Sequence, residues 1–369
     1  MTRLGIDLRI IHYAKTGFYR YAQGLLTALE GAATRDREVL LLRHPEDCGH
    51  ALPGSHLREV AVKTPVFDAA EGPRLRAELD PLQLDMIHFP LSLFPCRAAP
   101  RVILTVHDLT CLRFPHFIEP QYLPFYREAL RQAGQADRIV TPSNRVAVEL
   151  AEAGVPREKI RACYPTTPFE DGYAGRDAQD PKLVDRTLLD RLDRHPYILC
   201  VGSLEPRKNP GAALEAFTHF RQSSTERSRL VFAGWHGWSM ESFFETLRHS
   251  PIGDDVYLVR NANDATLRAL FRHCQLFLNL SLYEGFGLPV LEALAQGACV
   301  LSTPTPSLLE SGFPAEGLLD SNDTTAAARR ISELMADPGA RRNLAVRSRD
   351  AVGAFYRACN PNRLIDLYS

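Results

Sequence analysis

The sequence predicts an α/β protein of two domains, each built on a parallel sheet with crossover helices. Three observations carry this expectation. Apolar runs of strand length alternate with segments of helical period almost from end to end, the pattern that crossover connections impose on a parallel sheet. The 369 residues exceed what one ordinary hydrophobic core covers. The second half repeats the theme of the first, with a stretch of unclear period between them.

In the first half the expected strands are Leu4–Ile11, Val39–Leu42, Met86–Phe89, Val102–Val106 and Arg138–Thr141. In the second they are Tyr197–Val201, Leu230–Ala233, Val256–Val259, Leu276–Leu280 and Ala298–Ser302. Thr-Thr-Pro, Glu-Asp-Gly and a polar run mark the connection between halves. The expected boundaries are residues 1–170, a linker over 171–195, residues 196–350, and a terminal segment over 351–369.

Composition narrows the function. A formal net charge of −1, from 43 basic and 44 acidic residues, leaves no electrostatic footprint for nucleic acid. No stretch approaches the roughly 20 apolar residues that span a bilayer, and the charged start, Met1 to Ile11, reads as a strand. A cytoplasmic protein is expected, with peripheral contact at the inner membrane face compatible. The eight cysteines include no C-x-x-C pair and read as reduced core residues. The sequence has no G-x-G-x-x-G opening a strand–helix unit, no P-loop, no D-x-D and no His/Cys cluster at metal spacing, so neither a resident cofactor nor a metal is expected.

Ligands of an open parallel sheet bind beyond the carboxyl ends of its strands. Chemistry-bearing residues follow the expected strands five times: Thr16-Gly17, His107-Asp108, Gly202, Gly234 and Glu284. The densest segment is Glu284-Gly-Phe-Gly-Leu-Pro-Val-Leu-Glu292. Pro289 suits the first turn of a helix. Gly285 and Gly287 then form the loop feeding its N-terminus, where backbone N–H groups and the helix dipole favour a phosphate. Glu292 suits a ribose diol and Glu284 a sugar ring, since carboxylates accept from hydroxyls; both are otherwise a helix-dipole partner and a solvated charge. In Val201-Gly-Ser-Leu-Glu-Pro-Arg-Lys-Asn209, Arg207 and Lys208 stand at a helix start, where the dipole alone would favour acids. A diphosphate supplies the reason, and a solvated basic loop is the alternative. His107 either donates to a reacting sugar or is satisfied by local backbone. Trp235-His-Gly-Trp238 either lines a pocket or packs.

These segments, with Gly5-Ile-Asp-Leu-Arg9, Arg20-Tyr21, Thr141-Pro-Ser-Asn144 and Gly154-Val-Pro, resemble the family-4 retaining glycosyltransferases over nearly the whole chain. The stretch from Glu284 to Glu292 matches that family's E-x7-E motif. The resemblance implies a GT-B fold: two Rossmann-like domains facing across a cleft, an acceptor domain first and a nucleotide-sugar domain second, with the last helix crossing back. It implies catalytic roles for His107, Arg207, Lys208 and Glu284. Donor contacts are implied for Gly17, Gly202, Ser203, Gly234, Arg260, Phe286, Gly287, Leu288 and Glu292. The partners implied are a nucleotide sugar, with GDP-mannose favoured, and a saccharide or lipid-linked acceptor of surface polysaccharide, or a small glycoside. Oligomeric state is not implied.

Three departures stand out. Tyr19 occupies the second glycine of the relatives' T-G-I-G-R-Y, and its ring is expected to gate the donor or acceptor sugar. Arg260 and Asn261 replace a glycine and an aromatic, and Phe355-Tyr-Arg357 replaces F-S-W. The rival readings are a non-catalytic sugar-nucleotide binder and a GT-B phosphorylase or epimerase.

Overall fold

The computed structural model describes residues 2–13, 17–31, 37–49, 57–66, 70–91, 96–118, 120–169, 184–192, 195–224, 227–234, 237, 240–260, 262–359 and 366–368. The chain forms two compact units, Met1–Thr166 with Cys359–Ser369, and Thr167–Ala358. Of the expected linker, residues 171–183, 193 and 194 lie outside the described residues.

The first unit carries strands β1 (Thr2–Asp7), β2 (Arg37–Arg43), β3 (Arg58–Ala61), β4 (Met86–Phe89), β5 (Arg101–Thr105), β6 (Arg138–Thr141) and β7 (Ile160–Ala162). Helices α1 (Gly17–Gly31), α2 (Glu71–Leu79), α3 (Thr110–Arg113), α4 (Leu123–Ala133) and α5 (Asn144–Glu152) lie between them. The strands form one sheet in the order β3-β2-β1-β4-β5-β6-β7, every pairing parallel. Side chains of β2 alternate between two cores: Val39 and Leu41 join Leu4 and Ile6 on one face, while Leu40 and Leu42 join Leu75 and Ile87 on the other. A sheet covered on both faces needs continuous apolar strands, and that continuity is what made them legible.

The second unit carries β8 (Tyr197–Val201), β9 (Arg229–Ala233), β10 (Val256–Val259), β11 (Leu276–Asn279) and β12 (Val300–Ser302). Its helices are α6 (Arg186–Leu192), α7 (Pro210–Ser223), α8 (Glu241–His249), α9 (Asp264–His273), α10 (Leu288–Ala295), α11 (Pro306–Leu309), α12 (Thr324–Ala336) and α13 (Pro338–Ala358). The sheet is again parallel, in the order β10-β9-β8-β11-β12. Helix α13 runs unbroken past residue 350 to Ala358, and the return to the first unit is made by Cys359–Ser369. Among the described residues no helix is long and apolar enough to cross a membrane. None of the eight cysteines is in a disulfide, but only Cys111, Cys163, Cys274 and Cys299 are buried; the other four are half-buried.

Two strands escaped the sequence reading. β3 is a partly exposed edge strand and β7 has three residues, too short and too polar for a clear apolar run. The first strand stops at Asp7, and Arg9–His12 turns into a 3₁₀ helix instead of continuing to Ile11. An ion cluster sits at this bend. The Arg9 side chain, 1 % exposed, donates from Nε to Asp7 Oδ1 at 2.9 Å and from Nη2 to Asp7 Oδ2 at 2.8 Å. It also reaches Glu71 Oε1 at 2.8 Å and the Thr64 carbonyl at 2.7 Å. Asp7 and Arg9 must therefore face the same way, which an extended strand permits but which here accompanies a bend locking the β1 end to α2.

Removing the cation while leaving both buried carboxylates costs far more than the pair contributes net. Arg9→Ala is expected to destabilise the first unit by about 3–5 kcal/mol, read as a fall in its chemical-denaturation midpoint; an unchanged midpoint would contradict the cluster's role.

Candidate functional site

Both sheets reverse strand order beside their first strand, between β1 and β4 and between β8 and β11. At such a switch point the crossovers leave to opposite faces, and the loops beyond the strand ends part to leave a crevice. In the second unit those loops carry Gly202 to Asn209 after β8 and Leu280 to Gly287 after β11.

The β8 loop is shaped by close backbone approach. A Cβ on Gly234, which follows β9, would lie 2.0 Å from the Gly202 carbonyl oxygen, so only glycine fits there. Gly202 itself has φ 142°, and a Cβ on it would meet Lys208 Cε at 3.4 Å, so the lysine stem lies along the bare backbone. Ser203 continues the loop, Pro206–Lys208 forms a 3₁₀ turn, and Asn209 at φ 53° passes the chain into α7.

The β11 loop closes on these cations. Lys208 Nζ donates to Glu284 Oε1 at 2.6 Å, and Arg207 Nη1 donates to Glu284 Oε2 at 3.1 Å and to the Tyr283 carbonyl at 3.0 Å. Arg207 Nη2 binds Glu205 Oε1 at 2.5 Å, and Leu282 N–H donates to the Arg207 carbonyl at 2.9 Å. The Glu284 side chain is 10 % exposed. Burial by itself would raise its carboxyl, but Lys208 and Arg207 outweigh burial and hold it at about 2. Behind it, Ser281 Oγ donates to Asn279 Oδ1 at 2.7 Å and Thr303 Oγ1 to the Ser281 carbonyl at 2.8 Å.

Gly287, at φ 103°, precedes α10, with Leu288 and Pro289 in the first turn. A Cβ on it would sit 3.0 Å from Thr305 Cβ and 3.1 Å from Ser307 Oγ. The loop therefore delivers its chain to a helix start, where Pro289 carries no N–H and the Val290 N–H donates to the Gly287 carbonyl at 3.2 Å. Phe286 offers the site backbone only: its ring is buried edge-on to Tyr356 at 5.8 Å, and its carbonyl accepts from Ser307 N at 3.1 Å. Glu292 lies half-buried in the second turn of α10.

Other expected residues belong to other segments of the chain. Arg260 is exposed just beyond β10. Asn261, Trp235, His236 and Trp238 lie outside the described residues. In the first unit, Gly17 opens α1, exposed, with no described atom within 4 Å of a Cβ placed there. Tyr19 is half-buried against the first core. It is one helical face with Ala22 and Leu26, both fully buried, and that periodicity explains why its ring packs. His107 Nε2 donates to the Pro90 carbonyl at 2.7 Å, and Tyr21 stacks edge-on to its ring at 4.6 Å. Burial lowers the His107 pKa despite that bond and Asp108. A neutral ring has one N–H, and the backbone takes it.

Glu205 was missed as a site residue. It is buried and pairs with Arg207, and its signal was available: a carboxylate two residues before an arginine, inside a strand-end motif.

Two family descriptions match the chain: "Glycosyltransferase Family 4" over residues 8–168 and "Glycosyl transferases group 1" over residues 187–351. O-antigen chain mannosyltransferase B of Escherichia coli is 25% identical over 348 residues, spanning 89% of both chains. Among solved structures, sucrose-phosphate synthase from Thermosynechococcus elongatus aligns with a TM-score of 0.75 at 18% identity, covering 100% of this chain and 98% of that one. WaaG, a glycosyltransferase involved in lipopolysaccharide biosynthesis, aligns with a TM-score of 0.72 at 13% identity, covering 99% and 98%. The two parallel-sheet units thus have the GT-B fold.

Because the folded Glu284 carboxyl titrates far below its ordinary value, its stabilising pairings are fully present above about pH 4.5 and are lost as the pH falls from there toward 2. The unfolding free energy is expected to drop across that window by up to about 3 kcal/mol more than in Glu284→Gln. Denaturant unfolding at a series of pH values checks this, and parallel curves for the two proteins would refute it.

Proposed function

The chain belongs to the family-4 glycosyltransferases, and from that premise we propose that it transfers a sugar from a nucleoside diphosphate sugar to an acceptor hydroxyl, with retention and without a metal ion. The observation that carries this reading is Glu284 gripped by Arg207 and Lys208 at the switch point of the second sheet. A departing diphosphate accumulates negative charge, and two cations held beside a helix N-terminus can meet that charge. As phosphate oxygens take over the two cations, Glu284 is left to accept hydrogen bonds from sugar hydroxyls.

Glu284, left to hold sugar hydroxyls, is assigned no nucleophilic role, and the reading is a direct route with no glycosyl-enzyme. The bond from the anomeric carbon to the diphosphate breaks as the bond to the acceptor oxygen forms on the same face. The acceptor's proton passes to a diphosphate oxygen. Glu292, in the second turn of α10, is assigned to the ribose. His107, its N–H given to Pro90, is assigned to shaping the first unit's loops instead of to proton transfer.

GDP-mannose is the favoured donor and a surface-polysaccharide saccharide the favoured acceptor, because O-antigen chain mannosyltransferase B spans most of this chain. Binding to the folded chain raises its apparent stability, so a thermal-shift panel of UDP, GDP and dTDP with their common sugars ranks the donors; a preference for a base other than guanine would overturn the GDP assignment.

Arg207→Ala and Lys208→Ala should each lower kcat by about 10²–10³, and near-normal rates in both would remove them from leaving-group stabilisation. Activity should persist in excess chelator; strict dependence on an added divalent ion would contradict the metal-free route.

Glu292→Ala should weaken binding of the bare nucleoside diphosphate by roughly ten- to a hundredfold, the loss of one or two hydrogen bonds to a charged group. Calorimetry with the nucleotide alone decides this, and unchanged affinity would remove the ribose assignment.

A further inference from the structure

Because β1 and β2 pair side by side in parallel, the turns leaving their carboxyl ends adjoin. The 3₁₀ turn Arg9–His12 follows β1, and His44 follows β2 directly, capping a second 3₁₀ turn, Pro45–Asp47. The rings of His12 and His44 stack with centroids 3.7 Å apart and 15° between planes. Two carboxylates flank them: His12 Nδ1 lies 3.3 Å from Asp47 Oδ1, and His12 Nε2 lies 3.7 Å from Glu46 Oε2. Tyr13 sits edge-on to both rings, at 5.0 Å and 5.9 Å. One nitrogen from each histidine and one Glu46 oxygen all fall within 4.8 Å of one another.

We propose that His12, His44 and Glu46 form a binding site for a divalent transition-metal ion of the zinc class, with Asp47 orienting His12. Asp47 accepts the Nδ1 proton of His12, which leaves the lone pair on Nε2, the nitrogen turned to Glu46. A carboxylate on the far nitrogen of a ligating imidazole is how metal sites fix tautomer and ring angle. Two ligands on one tetrahedral zinc stand roughly 3.4 Å apart, close to the 3.7 Å between His12 Nε2 and Glu46 Oε2. Rotation of Glu46, whose side chain is 77 % exposed, and of His44 closes the rest. To bring its lone pair to the same ion His44 must turn out of its stack on His12, and it gives up one long bond, its Nδ1 accepting from Glu46 N–H at 3.3 Å. If Nδ1 ligates, the metal replaces that bond; if Nε2 ligates, the proton moves to Nδ1 and the bond breaks. Two imidazoles and a carboxylate suit zinc, cobalt or nickel, whereas magnesium and calcium prefer oxygen-only sets. With three protein ligands and a water, such a site binds as a clasp between the two turns. The sequence hid it because residues 12 and 44 come together only through strand pairing.

The site shares no residue with the proposed transfer chemistry, so the two stand or fall separately. The test is titration of the untagged full chain with Co2+ alone, followed by visible absorption, and with Zn2+ alone by calorimetry. One ion per chain is expected, with a ligand-field spectrum lacking any thiolate band. Glu46→Gln, at an exposed position, and His44→Gln should each weaken binding by at least about tenfold, and Asp47→Asn by about tenfold with the spectrum kept. Circular dichroism confirms that each variant folds. No saturable binding, a thiolate band assigning the ion to cysteine, or wild-type affinity in His44→Gln would each overturn the proposal.

Discussion

Arg207 and Lys208 come from the loop after β8, Glu284 from the loop after β11, and their charge-assisted bonds of 2.6 and 3.1 Å join the two loops across the switch point. Strand order puts an opening there, and nothing in the sheet itself decides how wide it is. The ion cluster decides. It also keeps Glu284 ionised in a place that is 10 % exposed, where a lone carboxylate would be costly. Glu205, Arg207, Lys208 and Glu284 carry two charges of each sign, so the loops hold a balanced cluster whose cations are already aimed.

The glycines serve the same end by another route. Gly234 lets one backbone rest against the carbonyl of Gly202, and Gly202 lets the stem of Lys208 lie flat on the way to Glu284. Each larger residue would push Lys208 or the β8 loop outward, and the bond to Glu284 would lengthen. Positions that look like loop flexibility are therefore the places with the least freedom.

Much of this was legible in the sequence. Nine of the ten expected strands lie where the apolar runs placed them, because strands buried on both faces cannot hide their composition, and the loop residues after β8 and β11 followed as strand-end motifs. What escaped had weaker signals. β3 sits at an edge and β7 is three residues long. The first strand was read too long because Leu8, Ile10 and Ile11 are apolar, while the bend answers to Arg9, Asp7 and Glu71, the last 62 residues away. His107 could not be assigned until Pro90 appeared beside it. Contacts across long separations are written in no local pattern.

Leu367 and Tyr368 lie in the core of the first unit, with Tyr368 OH 2.6 Å from His88 Nδ1 and Arg37 donating to the Tyr368 carbonyl at 2.7 Å. His88, pushed down to about 3 by burial, stays neutral and passes the contact on to Thr105 at 2.8 Å. A chain emerging from the ribosome ordinarily completes its leading domain first. Here the leading unit waits for a plug made 280 residues after His88, so until synthesis reaches Tyr368 that unit carries an unfilled socket in its interior, and the unit begun first is the one finished last.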